Sequence, residues 1–257
     1  MNNLFLETAK GNIENNSIIH KFGRNTDVGA TEEDVWTVGG VYTWLQAPVN
    51  LEAISTSAND TIAGTGARII TVEGLDENWN AISEDIEMNG VSATLPTING
   101  FIRINRVFVK EVGTYAGTIV GGNAGNIVLR TESGGATHAE ILLEATVPQG
   151  QSQVSRFSVP KGHTAFVWAV YLWVDSGKSA TLSFWKRDNG NVTTSPLTSK
   201  RLQHKFDGIS GPESLRFTTP MKMDQYTDIW FSAVANAQAA SISVDFQMSL
   251  INQVYAL

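Results

Sequence analysis

Apolar and polar residues alternate with period two through most of the chain, and Gly, Asn, Asp or Pro close each run. In the first part the runs are "VNLEAISTS" (49–57), "ARIITVEGL" (67–75), "AISEDIEMNG" (81–90), "GFIRINRVFVKEV" (100–112), "GNIVLRT" (125–131) and "AEILLEATV" (139–147). Each reads as a strand with one covered face. Gly74–Asn80 carries enough turn formers to join two strands as a hairpin, and Asn89-Gly90 suits a tight turn with positive φ. Ala30–Trp36, "ATEEDVW", has a helix start signal, with Thr31 as N-cap and acids in the first turn, so at most one or two helical turns are expected there.

After about residue 145 aromatics become denser, and four of the seven tryptophans (Trp168, Trp173, Trp185, Trp230) fall in this part. Seven further runs follow: 153–159, 164–174, 180–188, 202–208, 214–220, 228–235 and 241–251. Their number and spacing suit a sandwich or jelly roll. Asp175–Ser179 and Lys186–Val192 are expected as hairpin turns. The fold class is therefore all-β: two consecutive β-sandwich domains, 1–145 and 146–257, the second jelly-roll-like. The first forty residues alternate little; they are expected to form an extended attachment arm with Leu4, Phe5, Leu6, Ile18 and Ile19 as its apolar anchors.

Composition narrows the chemistry. With 257 residues and 42% hydrophobic content the chain can bury a sizeable core. A net charge of −7 argues against neutralising many phosphates, so neither nucleic acid nor an anionic membrane surface is an expected partner. The absence of cysteine rules out disulfides and thiolate metal sites. "MNNLFLETAKGNIENN" has no basic stretch followed by an apolar one, and the expectation is synthesis in a cytoplasm.

No catalytic constellation is expected, and no cofactor. His20, His138, His163 and His204 lie in unrelated segments, without a second ligand at metal spacing. The acidic groups Glu32–Asp34 and Glu84, Asp85, Glu87 suggest a glycosidase pair or a calcium site, but strand alternation puts Asp85 and Glu87 on one face, the pattern of a solvated strand. In 164–174 both faces are apolar. Alternation assigns Phe166, Trp168, Val170, Leu172 and Val174 to one, and Val167, Ala169, Tyr171 and Trp173 to the other. Such a strand is either central between layers or covered by a second subunit. On the second reading Val167, Tyr171 and Trp173 form a subunit interface, with a homotrimer favoured. Trp79, Trp185 and Trp230 are the candidates for stacking on carbohydrate.

"KFGRNTDVGATEEDVWTVGGVYTW" (21–44), "ISTSANDTIAGTGARIITVEGLDENWNAISEDIEMNG" (54–90) and "FIRINRVFVKEVG" (101–113) together resemble a family of tailed-bacteriophage virion proteins frequent in marine phages. The likeness spans about residues 18–130, and the second part resembles the sandwich modules that follow in that family. The resemblance implies a particle component: a capsid decoration or head-fibre protein, or a tail-associated fibre subunit. The alternative reading is a tail-fibre or receptor-binding module that recognises host surface carbohydrate. Its partners would be further copies of itself and the major capsid or other virion proteins. No catalytic residues come with it.

Overall fold

The computed structural model describes residues 4–115 and 121–253, apart from the side chains of Leu4 and Phe5. Among the described residues the chain is almost wholly β. It opens with a short helix, α1 (Leu4–Ala9), then β1 (Asn16–Val28) and β2 (Glu33–Asp34). Next come β3 (Leu51–Ser55), β4 (Ala67–Leu75), β5 (Ala81–Glu87), β6 (Arg103–Val112), β7 (Ile127–Thr131), β8 (Thr137–Ile141), β9 (Leu143–Glu144) and β10 (Val147–Pro148). The last part holds β11 (Arg156–Ser158), β12 (His163–Val174), β13 (Ala180–Arg187), β14 (Arg201–Ile209), β15 (Gly211–Met223), β16 (Asp228–Ala235) and β17 (Ala240–Asn252).

Two compact units emerge, but not split at residue 145. One comprises residues 1–41 and 155–257, the other Tyr42–Val154. The reason is β1, which pairs antiparallel with β17 from Asn16↔Ile251 to Val28↔Ala240 and so belongs to the sheet of the last strands. The expected order of two consecutive domains thus becomes one domain inserted into another. The expected extended arm is likewise replaced, by α1 and the paired strand β1.

The outer unit is a jelly roll by strand order. One sheet runs β1-β17-β12-β15 and the other β11-β16-β13-β14, with β2 also on β16. First pairs with last (β1 with β17), then β11 with β16, β12 with β15 and β13 with β14. That nesting is a single long antiparallel ribbon folded over on itself, the topology of two Greek keys. Alternation drives closure: Ala240, Ile242, Val244, Phe246 and Met248 of β17 are fully buried, while the residues between them face out. Ile229, Phe231 and Ala233 of β16 enter the same core, where the Phe184 and Phe231 rings stack at 4.5 Å and Phe246 lies 5.6 Å from Phe231. Gly23 in β1 permits the close approach of Ser155 and Val35, since a Cβ there would come within 2.2 Å of the Ser155 nitrogen.

Three local expectations change. Thr31–Trp36 is not helical: Glu33 and Asp34 pair with Ala233 and Ser232, beside the stretch of β16 that β11 covers. Asp175–Ser179 joins strands of different sheets rather than a hairpin. The β13–β14 hairpin has a longer connection, 188–200, than the expected turn.

The inserted unit carries two three-stranded sheets, β3-β7-β8 and β5-β4-β6, around its own core of Leu51, Ile70, Val72, Phe101, Ile127 and Leu129 among others. The β4–β5 hairpin turns at 76–80 as expected: Asp76 N donates to Asn80 O, and Trp79 takes φ 64°. Gly90 has φ +63°, the conformation expected at that turn.

Candidate functional site

A break in strand alternation decides which side chains reach the surface. In β12 the pairing shifts between Val167 and Ala169 against both neighbours, a bulge centred on Trp168. Before it Ala165 and Val167 point into the core; after it Val170, Leu172 and Val174 do. Val167 is therefore fully buried and cannot belong to a subunit interface with Tyr171 and Trp173, as unbroken alternation predicts. Tyr171 is half-buried and Trp173 is 51% exposed.

Register assembles the surface around these two rings. Asp245 of β17 lies opposite Phe22 on one side and Tyr171 on the other, and Tyr171 in turn opposite Ser214. One step along, Ser243 lies between Arg24 and Trp173, and Trp173 opposite Pro212. Adjacent strands are about 4.8 Å apart, so β1 and β12 stand roughly 10 Å apart with β17 between them. The short side chains Ser243 and Asp245 form the floor, and Phe22, Tyr171, Trp173 and Pro212 the walls, of an open groove of about 430 Å³.

Its electrostatics centre on Asp245. The Oδ1 atom is 2.7 Å from His20 Nε2, and the Gln247 side-chain amide approaches the same His20 nitrogen at 3.1 Å. One ring nitrogen cannot accept from the amide and donate to the carboxylate at once, so the tautomer of His20 and the orientation of Gln247 are coupled. Burial pushes the Asp245 carboxyl above the usual aspartate range, although the charge and hydrogen bond of His20 act in the opposite direction. On the far side Arg216 Nη2 donates to Tyr171 Oη at 3.3 Å. The groove thus combines apolar ring faces, a carboxylate acceptor and hydroxyl and guanidinium donors. It is suited to holding a ligand.

The tryptophans expected to stack on carbohydrate lie elsewhere. Trp79 is 2% exposed, under Arg103, whose guanidinium carbon is 4.7 Å from its ring centroid. Trp230 is 7% exposed and stacks against Trp185 at 6.4 Å. Half-buried Trp185 donates to Ser232 Oγ at 2.8 Å, and Lys200 Nζ stands 4.2 Å from its ring centroid. Burial withdraws Trp79 and Trp230 as stacking platforms, and Lys200 occupies the approach to Trp185.

Of the expected arm anchors, Ile18 and Ile19 lie in β1 opposite Ser249 and Met248, and Ile19 packs on the jelly-roll core. Leu6 is 50% exposed on α1, whereas the Leu4 and Phe5 side chains fall outside the described residues. Sequence reading missed Phe22 and Asp245. The signal for Asp245 was present, a lone carboxylate between the core-facing Val244 and Phe246, but its neighbours come from strands over two hundred residues away and from β12.

Among the described residues no group of three or more His, Asp or Glu side chains could hold a metal ion, and no helix is long and apolar enough to cross a membrane. The sequence matches no protein-family model and no curated protein. Solved structures similar to this chain include virus particles and a bacterial mitogen. The T=1 particles derived from infectious bursal virus match at 14% identity and TM-score 0.27, over 93% of this chain and 70% of that one. The infectious bursal disease virus Gx strain matches at 12% identity and TM-score 0.27, over 93% and 73%. The mitogen of Yersinia pseudotuberculosis matches at 14% and 0.20, over 37% and 84%. The similarity to virus-particle proteins is weak, and the jelly-roll assignment rests on strand order instead.

Proposed function

We propose that the protein is a non-enzymatic structural component of a tailed-bacteriophage virion, a capsid decoration or head-fibre subunit. It joins the particle through its N-terminal part and exposes a β-sandwich. The observation that carries this reading is a surplus of surface: the jelly-roll core is closed within its own unit, yet one outer sheet face still presents Phe22, Tyr171 and Trp173 to solvent. Exposed rings on a rigid sheet are a contact surface for a partner. The resemblance of residues 18–130 to phage virion proteins supplies the particle context. Attachment falls to α1, where Leu6 is exposed, because Ile18 and Ile19 are committed to β1. A homotrimer belongs to this reading, but without Val167 its expected interface keeps only Tyr171 and Trp173.

The test is position and number. A decoration subunit is present in many ordered copies on the head of purified particles, counted by quantitative mass spectrometry and located by a labelled antibody fragment. Deleting residues 1–12 should leave a folded protein that no longer joins the particle; normal incorporation would remove α1 as the attachment device.

A second reading is a tail-fibre or receptor-binding module that recognises host surface carbohydrate. It is favoured by Asp245, which sets a hydrogen-bond acceptor among three aromatic rings. Label confined to tail tips, at low copy number, would select it over decoration.

A further inference from the structure

We propose that the groove walled by Phe22, Tyr171, Trp173 and Pro212 is a binding site for a neutral, hydroxyl-rich glycan, with an apolar sugar face against the rings and sugar hydroxyls donating to Asp245. The proposal rests on the receptor-module reading and gives it a site different from the tryptophans expected from sequence.

Three features of the groove select this ligand class. Its volume, about 430 Å³, falls inside the roughly 300–1,000 Å³ range of small-ligand sites. Its polar groups come in both kinds: Asp245 and Glu213 accept, while Ser214, Ser243 and the Tyr171–Arg216 pair can donate. A hydroxyl both donates and accepts, so a polyol meets this mixed set where a purely cationic or anionic ligand meets half of it. Groups of both charges flank the groove. The Arg216 guanidinium sits beside Tyr171, and Asp245 and Glu213 line it, so a cation would meet the guanidinium and an anion would meet two carboxylates.

A second copy of the chain fits less well. A stable interface buries roughly 800 Å² per partner around a dry apolar centre. Here the centre would be Asp245 and Ser243, and sealing a half-buried carboxylate against another protein leaves its charge without water.

The experiment uses the full chain. It is applied to immobilised neutral polysaccharides (glucans, galactans and mannans), with sialylated and sulfated glycans as the charged set, and its mass is measured by light scattering. The wild type should bind at least one neutral polysaccharide. Trp173→Ala should weaken that binding by about tenfold or more, the loss expected for one aromatic platform. Asp245→Asn should weaken it as well, while Trp185→Ala on the other sheet should leave it unchanged. Near-UV circular dichroism of each variant shows whether the fold is kept, and Tyr171→Ala repeats the test if Trp173→Ala fails to fold. Neutral-glycan binding that survives both ring substitutions in folded protein overturns the site but leaves the receptor reading standing. Binding confined to charged glycans overturns the ligand class. Binding to none of the set overturns both site and receptor reading, and an oligomer that Trp173→Ala returns to monomer assigns the face to a second copy instead.

Discussion

Removing the inserted unit is the most direct test of the architecture. Val41 leads out of the jelly roll and Ser155 leads back in, and the two ends are tied to adjacent residues, Asp34 and Val35. Asp34 N donates to Gly40 O at 2.9 Å, and Ser155 N donates to Val35 O at 3.1 Å. Paired backbones lie about 5 Å apart between Cα atoms and neighbours about 3.8 Å, so Gly40 and Ser155 are separated by no more than roughly 15 Å. A six-residue Gly-Ser linker reaches about 20 Å when extended and can replace residues 42–154 without strain. Each unit builds its core from its own residues, so the excision removes no core side chain from the jelly roll. Replacing so long a connection by a short one lowers the closure cost by at most about 3 kcal/mol, and by less where the insert is itself folded. The excised protein should therefore unfold in urea as one cooperative transition, within about 3 kcal/mol of the jelly-roll transition in the full chain. Fluorescence can follow it, because Trp36, Trp168, Trp173, Trp185 and Trp230 all remain. The 42–154 fragment, followed through Trp44 and Trp79, should show its own transition. An excised protein with no cooperative transition, while the full chain has one, would refute the inserted-domain arrangement.

Phe246→Ala, at a fully buried ring beside those of Phe184 and Phe231, should cost about 3–5 kcal/mol in denaturant unfolding, whereas exposed Trp173→Ala should cost less than about 1. Gly23→Ala should cost about 1–3 kcal/mol or block folding, since its Cβ would meet backbone that cannot swing aside; an unchanged melting temperature would show that β1 does not pack there. At Glu52, burial raises the carboxyl, but the Gly134 and Ser133 amides and Arg130 outweigh it and hold it below the usual glutamate range. A depressed carboxyl stabilises above its unfolded value and loses that contribution as pH falls through the folded one, so Glu52→Gln should flatten the acid limb of the stability–pH curve of the inserted unit.

The strands of the second part were legible because inward positions, as in β17, alternate with outward ones. What alternation could not carry was phase and partnership. The bulge at Trp168 reverses the facing of β12, and nothing in "AFVWAVYLWV" marks where the extra residue falls. Likewise "TEEDVW" has a helix start signal, but β16 offers an unpaired edge beside β11, and tertiary pairing overrides a one-turn propensity. Trp79 read as a free platform because a hairpin tip is usually wet. Its positive φ and Arg103 instead hold the ring inside. The groove was illegible for the same reason as the domain order: β1 meets β17 across nearly the whole chain, a contact that no local pattern encodes.

Asp245 separates a residue retained for binding from one retained for folding, and its pH behaviour shows which it is. Burial raises its carboxyl in the folded state despite the opposing pull of His20, so the folded protein holds that proton more tightly than the unfolded chain does. Between the unfolded aspartate value and the raised folded one, stability therefore falls as pH rises, and at neutral pH the charged side chain opposes folding. Removing the charge while keeping the shape should then help. Asp245→Asn is expected to leave the melting temperature at neutral pH unchanged or slightly higher, and to remove the part of the stability–pH slope that Asp245 contributes. A core or scaffold residue behaves in the opposite way, losing stability on substitution, whereas a group that costs stability yet sits on the floor of a groove has the energetics of a functional site. Thermal unfolding of wild type and Asp245→Asn across mildly acidic to neutral pH decides between them. A variant that melts several degrees lower at neutral pH would mean that the His20–Asp245 pair is a structural tie and that the floor of the groove is built for the fold alone.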